Sequence, residues 1–438
     1  MLNQVQFVRR TVAVLLACGL VAGLSPGFAA AQDLSTPAAR AARAEGIVPL
    51  DRPVLVGKPV TFKLKVNPSN PHWNLGDGAT ADGSSVTHTY QEPGIYRILM
   101  GSAAAQEKMR LIIDTDACAE IDDQNAIAYA LFSGNHFEVE GITVNRGSDY
   151  PERTAHRPYF GRVDIDDHFT EAANVAKMCA SSDVPVLKGP AGNYRQVKGN
   201  INNATFDGSD AVNFIIKRAH APSDRPLIIY ACGNLTNVAL ALLKDPTIAP
   251  KIEIWWLGTE WPRNHACNNH AGDLDAVDAL LANPQNVPFH IIPWPHLGVT
   301  FAEIRDRMTG RGPQVSPAVP GLRGEGPDFT CFGDYSVYLF DRFVGARQKE
   351  RGRSLLDVLG FAAVKNNVGQ YTPEEMGAPS FVYESAIGSE PHRHPGTWVV
   401  NDSNPRRVTM WRHPNRDAVY NDFYNTVRNY VLVDSASN

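Results

Sequence analysis

Arg110-Leu-Ile-Ile-Asp-Thr-Asp-Ala-Cys-Ala-Glu-Ile-Asp-Asp-Gln-Asn-Ala-Ile-Ala-Tyr-Ala-Leu131 sets Asp114, Asp116, Glu120, Asp122 and Asp123 between two apolar patterns. Leu111 to Ile113 is a short continuous apolar run, as in a buried strand, and Ala126, Ile127, Ala130 and Leu131 then recur as one face of a helix packed on a sheet. The acids therefore fall at the carboxyl end of a strand, where open α/β sheets hold their sites. So many carboxylates in one turn call for a counterion. Hard oxygen donors suit Ca²⁺ or Mg²⁺ better than Zn²⁺, which prefers nitrogen and sulfur. The plainer reading is a solvated acidic loop with one helix cap.

Outward from this stretch, strands and helices alternate from Lys108 onward. Apolar strand candidates are 137–144, 227–231, 251–257 and 288–292. Helix-patterned stretches lie at 167–180, 208–220, 235–244, 273–283, 299–309, 334–350 and 354–366. That alternation implies an α/β fold with a mainly parallel sheet covered by helices on both faces. Residues 311–329, rich in Gly and Pro, read as a surface loop.

Upstream the pattern changes. Val60, Phe62, Leu64 and Val66 alternate with polar residues, and turn signals at Gly76-Asp77-Gly78 and Pro93-Gly94 bracket Val86 to Tyr90. Residues 51–104 thus read as a small all-β unit. Residues 1–31 read as a secretory signal peptide: Arg9 and Arg10, an apolar stretch from Thr11 to Leu24, and the small residues Ala29-Ala30-Ala31. The expectation is a secreted or periplasmic protein cleaved after Ala31, with lipoprotein anchoring at Cys18 as the alternative. Residues 32–50 read as a linker, and no later apolar run is long enough for a transmembrane span.

The chain has 438 residues, 43% hydrophobic and 20% charged, with a formal net charge of -5. It can bury a large core and hold more than one domain, and with no basic footprint nucleic acid is not expected as a partner. Beyond Cys18 there are Cys118, Cys179, Cys232, Cys267 and Cys331, an odd number with no zinc or redox spacing, so at least one thiol stays free or pairs between chains. Cys179 and Cys232 read as core residues.

Three later segments place polar groups at strand ends or helix starts: Ala231 to Leu243 with Gly233, Asn234 and Thr236; Asn268 to Val277; and Ser354 to Ala363 with Asp357. Taken singly, each is explained by ordinary helix capping. Asp334, at another helix start, competes with Asp357.

Together with the opening stretch, these segments resemble the inosine-uridine nucleoside hydrolase family. Asp114-Thr-Asp116 with Ile121-Asp-Asp123 looks like its aspartate signature, Gly141-Ile-Thr-Val144 like its second strand, and Leu235-Thr-Asn-Val-Ala239 like its central motif. The resemblance covers roughly three quarters of the chain, and the domain is drawn as 108–434. It implies a nucleoside hydrolase-like sheet and Ca²⁺ held by Asp116, Asp123, the Thr236 carbonyl and Asp357. Asp116 would act as the catalytic base, with Asp122 and Asn269 binding ribose hydroxyls. The order of the segments after Asp357 favours it over Asp334. The upstream unit, through Trp73-Asn-Leu-Gly-Asp-Gly78, His88-Thr-Tyr90 and Pro93-Gly-Ile-Tyr96, resembles the PKD domain, an immunoglobulin-like sandwich. It implies a spacer or a polysaccharide or cell-surface association.

The chain departs from the family pattern in places. Two extra residues separate Asp116 from Asp122-Asp123, the family's Asn after the second strand falls near Ser148, its last His is Leu356, and the acid two before Asn269 is Cys267. Each is a substrate or leaving-group contact by the resemblance. His265, His270 or Trp261 are the substitute candidates for proton donation or stacking. Arg146 to His168, with Tyr150, His156, Arg157 and Asp164, reads either as a lid or altered pocket wall or as an insertion with no site role. The expected function is a secreted, Ca²⁺-dependent hydrolase of N-glycosidic bonds in a nucleoside or related ribosyl or glycosyl substrate. The alternative is a non-catalytic metal-dependent sugar- or cell-wall-binding protein. A haloacid dehalogenase-type phosphatase also opens on paired aspartates but carries a hydroxyl motif absent here.

Overall fold

The computed structural model describes residues 54–64, 71–92, 94–101, 108–134, 136–147, 163–365, 369–383, 394–428 and 430–434. The signal-peptide and linker readings, Ser148, Tyr150, His156 and Arg157 lie outside the described residues.

The apolar run after Lys108 is the central strand of an eight-stranded sheet. In chain order the strands are β1 (Met109–Thr115), β2 (Phe137–Val144), β3 (Val186–Lys188), β4 (Leu227–Ala231), β5 (Ile252–Leu257), β6 (Phe289–Ile292), β7 (Thr372–Gly377) and β8 (Arg407–Arg412). Their spatial order is β3-β2-β1-β4-β5-β6-β8-β7. All neighbours run parallel except β7 against β8. Successive residues of β1 feed opposite faces: Leu111 and Ile113 join one apolar core, Ile112 the other. A strand buried on both faces must read as an unbroken apolar run, which is why this one was legible.

Helices α1 (Asp122–Phe132), α2 (Ile165–Met178), α4 (Leu356–Lys365) and α5 (Arg416–Arg428) contribute to the first core, and α3 (Thr236–Lys244) to the second. Among the described residues no helix is long and apolar enough to cross a membrane. All five cysteines after Cys18 are buried and unpaired, Cys179 and Cys232 in the first core.

From β1 the chain winds outward to β2 and β3, then returns to the other flank of β1 as β4. The order of strands reverses between β1 and β4, which opens a crevice outside their carboxyl ends.

The N-terminal unit is built from short strands around Phe62, Trp73, Leu75, Val86, Tyr90 and Ile98. Trp73 Nε1 donates to the Gly83 carbonyl at 2.7 Å and the Tyr90 hydroxyl to the Leu75 carbonyl at 2.9 Å, so both large side chains bury their polar atoms with partners. One sequence-based boundary is corrected here. The last strand, Tyr430–Asp434, does not extend the large sheet; it lies between Val54–Leu55, in parallel, and Gly94–Arg97, antiparallel. The α/β domain drawn to residue 434 therefore ends with α5, and the chain returns to complete the small unit.

Candidate active site

The crevice is anchored by a carboxylate that faces no solvent. Asp114 lies one residue before the end of β1, and its two oxygens accept from Thr143 Oγ1, Asn145 Nδ2 and Asn237 Nδ2, each at 2.7 Å. These donors come from β2, its carboxyl end and α3, so one side chain sets the height of three strand and helix ends. Burial pushes the Asp114 carboxyl up to about 6, against the three hydrogen bonds that favour its charge.

Two residues on, Asp116 is 3% exposed. Bare backbone flanks its carboxylate. A Cβ on Gly233 would stand 2.5 Å from Asp116 Oδ1, and one on Gly147 would stand 2.7 Å from Oδ2, with Gly147 at φ +66°. Any larger residue at either place would displace the carboxylate.

Helix α1 opens directly on Asp122 and Asp123, acids at the positive end of the helix dipole. Asp123 Oδ1 accepts from Thr115 Oγ1 at 2.7 Å. Asp122 Oδ2 accepts the Leu356 backbone N–H at 2.9 Å, while its buried Oδ1 has no partner. Helix α4 starts there, bringing Asp357 in: one oxygen each from Asp123 and Asp357 and the Cys232 Sγ lie within 4.8 Å of one another. Asp116, Asp122, Asp123 and Asp357 all line one cavity with Asn269, Trp294 and Leu356.

Crowding of buried negative charge has a titration consequence. Burial, then the Glu120 charge, raises the Asp122 carboxyl to about 6. Asp123 and Asp357 are pushed well above the carboxylate range, first by burial, then by the charges of Asp116 and Asp122 and, for Asp357, of Asp123. The Cys232 thiol is likewise driven up by burial, so it stays protonated and donates weakly to Asp123 Oδ1 at 3.7 Å. A set of hard carboxylate oxygens with one orphaned member and no adjacent free cation among the described residues fits a divalent metal ion bound through oxygen. Arg353, the nearby guanidinium, is ion-paired with Glu120.

Of the residues read from the sequence, the structure brings Asp116, Asp122, Asp123, Asp357 and Asn269 to the cavity. Asn269 Nδ2 donates to the carbonyls of Cys232, at 2.7 Å, and Leu257, at 2.9 Å, tying together the ends of β4 and β5. Thr236 is the exception. It is the first residue of α3, its hydroxyl donates to Asp273 at 2.5 Å, and it does not line the cavity. The four-residue turn from Cys232 to Leu235 carries the helix start past the strand end, and Cys232 stands at the cavity where Thr236 was expected. Asp334 is also elsewhere, accepting the Gly310 N–H at 2.5 Å.

The substitute leaving-group residues do not reach the cavity either. His270 is buried against Phe381, Trp398 and Trp256; His265 lies 3.6 Å from Glu260; Trp261 packs edge-on to Trp398. Of the 146–168 segment, Asp164 caps α2 and His168 is buried against the Ala117 carbonyl. The sequence reading missed Trp294, which follows β6 within Pro293-Trp-Pro295 and reaches the cavity. Its position two residues past a strand end was the available signal.

Residues 111–420 match the profile described as inosine-uridine preferring nucleoside hydrolase, well over half of the chain. The chain belongs to that family. Residues 45–103 match a PKD domain. Membership in the nucleoside hydrolase family, a metal-dependent one, supports a hydrolase acting on N-glycosidic bonds, and the buried acidic site agrees with that chemistry. The fold is shared with solved nucleoside hydrolases at low identity. A plant nucleoside hydrolase aligns with a TM-score of 0.52 at 18% identity over 74% of this chain and 99% of its own. A purine-preferring ribonucleoside hydrolase from Gardnerella vaginalis aligns at 0.51 and 20% identity, over 73% and 98%. An inosine-guanosine nucleoside hydrolase aligns at 0.52 and 18%, over 74% and 99%. No curated protein sequence matches significantly.

Proposed function

We propose that the protein is an exported, Ca²⁺-dependent hydrolase that cleaves the N-glycosidic bond of a ribosyl substrate. The observation that carries this reading is the convergence of Asp116, Asp122, Asp123 and Asp357 on one cavity at the reversal of strand order. Asp116, Asp123 and Asp357, with the main chain at Cys232 in place of Thr236, would hold the ion. Bound there, Ca²⁺ would supply a positive field that favours deprotonation of water and holds a sugar diol.

The protein's own groups account for the remaining work. Asp116, clamped by Gly147 and Gly233, takes the proton of the attacking water. The unpartnered Asp122 Oδ1 accepts a sugar hydroxyl, and Asn269, fixed by its two carbonyl partners, offers its Oδ1 to a second. Positive charge that develops on the sugar ring as the C–N bond breaks is stabilised by the surrounding carboxylates.

The test is release of reducing sugar from a panel of nucleosides by the mature protein, with Ca²⁺ and after chelation. Chelator-sensitive release that disappears in Asp116→Asn is expected. Absence of release by protein that Ca²⁺ still stabilises would instead make it a metal-dependent sugar-binding protein. Export is tested separately, by N-terminal sequencing of the processed chain for cleavage after Ala31.

A further inference from the structure

Not all of the cavity lining is acidic. Trp294 and Leu356 line it beside the carboxylates, and the Trp294 indole N–H is buried with no partner. The tryptophan is fixed rather than adaptable: Pro293 and Pro295 flank it, and its backbone N–H donates to the Thr259 carbonyl at 3.0 Å. Among the described residues that line the cavity none is a histidine, lysine, arginine or tyrosine. His296 packs edge-on to Trp294 at 6.2 Å and is engaged by Glu260 at 3.1 Å.

These features constrain the leaving group. A neutral purine or pyrimidine leaves as an anion unless a proton reaches it, and general acid help of that kind is worth about 10²- to 10⁴-fold. Among the described residues, Trp294 and Leu356 offer the leaving group one weak N–H donor, which provides little of it. A heterocycle whose glycosidic nitrogen already bears positive charge needs none, because the electron pair of the breaking C–N bond neutralises it. Charge favours the same class. Asp116, Asp122, Asp123 and Asp357 all line the cavity, and once ionised around a divalent ion they would carry more negative charge than it cancels. The Trp294 ring adds an attractive surface for an aromatic cation.

Resting on the hydrolase reading above, we propose that the preferred substrates are ribosides of cationic nitrogen heterocycles, of which a pyridinium riboside is the simplest. Water adds its oxygen to the anomeric carbon, the C–N pair returns to the ring nitrogen, and the heterocycle departs neutral. The proton of the water passes to Asp116 and then to solvent. The balance is riboside cation plus water giving ribose, neutral heterocycle and one proton, with no oxidant, reductant or acid consumed.

Three ribosides separate charge from shape: nicotinamide riboside, its reduced 1,4-dihydro form, which is near-isosteric and neutral, and inosine. With the full-length processed protein and Ca²⁺, kcat/KM for nicotinamide riboside is expected to exceed that for the other two by about 100-fold or more. In Trp294→Leu that ratio is expected to narrow by about tenfold, with the Ca²⁺-induced rise in melting temperature retained as proof of folding. A turnover-free measurement accompanies it: calorimetric binding of N-methylnicotinamide cation should be tighter than that of neutral nicotinamide, and weaker in the variant. Cleavage of inosine or the reduced riboside as fast as the cation would overturn the proposal while leaving the hydrolase reading intact. Release from none of the three by Ca²⁺-stabilised protein would fail the hydrolase reading itself.

Discussion

The Asp122 carboxylate accepts the backbone N–H of Leu356 at 2.9 Å, so the first residue of one helix caps the first residue of another. Each helix carries an acid as its second residue, Asp123 and Asp357, and the cap brings those two together at the cavity. The site is thus two acidic helix N-termini turned toward one point, with Asp116 from the strand end between them. Positive helix ends lower the cost of gathering the acids, but their raised carboxyl groups show that the gathering remains unfavourable without a cation.

Replacing Asp123 by Asn keeps an acceptor for Thr115 Oγ1 while removing one of the converging charges. The wild type should gain about 2.7 kcal/mol at a Ca²⁺ concentration a hundred times its Kd. Asp123→Asn is expected to lose most of that gain, yet to be no less stable than wild type in chelator. Thermal melts of both proteins with and without Ca²⁺ check both halves, and an unchanged Ca²⁺ response in the variant would remove Asp123 from the ligand set.

The raised carboxyl groups also fix the sign of the pH dependence. Asp114 and Asp122 titrate near about 6 in the folded protein against an ordinary value of 3.8. Between those values the folded, metal-free chain holds more protons than the unfolded one, so its stability falls as pH rises. Metal-free protein should therefore melt higher at pH 5 than at pH 7. The Ca²⁺-induced shift should run the other way, larger at pH 7, because protons compete with the ion for the same oxygens. Melting curves across this range in both states are the measurement.

Asp114→Ala should be costly without touching the metal ligands directly. It takes the acceptor from Asn145 and leaves Thr143 and Asn237 only their longer bonds to the Ile113 carbonyl, at 3.5 Å, and the Val144 carbonyl, at 3.2 Å, and each lost partner costs about 1–3 kcal/mol. A loss of at least about 3 kcal/mol in urea unfolding is expected, with Asp114→Asn recovering part of it. A loss under about 1 kcal/mol would mean that the three donors find other partners.

How far the sequence reached depends on what kind of contact was at stake. β1, β4, β5 and β6 are continuous apolar runs because they are buried on both faces, and the acids beside β1 announced the site. The edge strand β7 was illegible: Pro373, Glu374 and Glu375 lie exposed in it, as suits an edge that must not pair further, but no apolar period survives. β3 is three half-buried residues. Thr236 was placed at the metal because sequence order does not reveal where a turn ends and a helix begins. Trp294 was passed over because Pro-Trp-Pro reads only as a loop, and the pairing of Tyr430–Asp434 with strands more than 300 residues earlier leaves no local trace.

That return pairing alters how the small unit should be removed. Deleting residues 32–104 alone would strip both neighbours from Tyr430–Asp434 and leave an unpaired strand prone to association. Removing 32–104 and 430–438 together is expected to give a soluble α/β domain that keeps its Ca²⁺-induced shift, since neither segment belongs to the eight-stranded sheet. Removing 430–438 alone should speed proteolysis within 54–101 and leave the Ca²⁺ shift unaltered. Equal protease resistance of the small unit with and without the last strand would show that the strand contributes nothing to it.

Arg353 gives the sharpest check on the electrostatic account. It pairs with Glu120, a residue of the loop that is two residues longer than the family pattern, and its charge is also felt by Asp122 and Asp357. Both side chains of the pair keep some exposure, 23% and 22%, so breaking it falls short of the 3–5 kcal/mol cost of a fully buried pair, and about 1–2 kcal/mol is expected. Arg353→Met retains the apolar stem and removes only the charge. In chelator the variant should melt lower than wild type, because Glu120 then adds its repulsion to Asp122 uncompensated. With Ca²⁺ the order of effects reverses: the same added negative charge attracts the ion, so the variant's Ca²⁺-induced shift should be larger than the wild type's and its Kd lower. A variant destabilised equally in both states would mean that Arg353 acts through packing alone and that its charge does not reach the carboxylates.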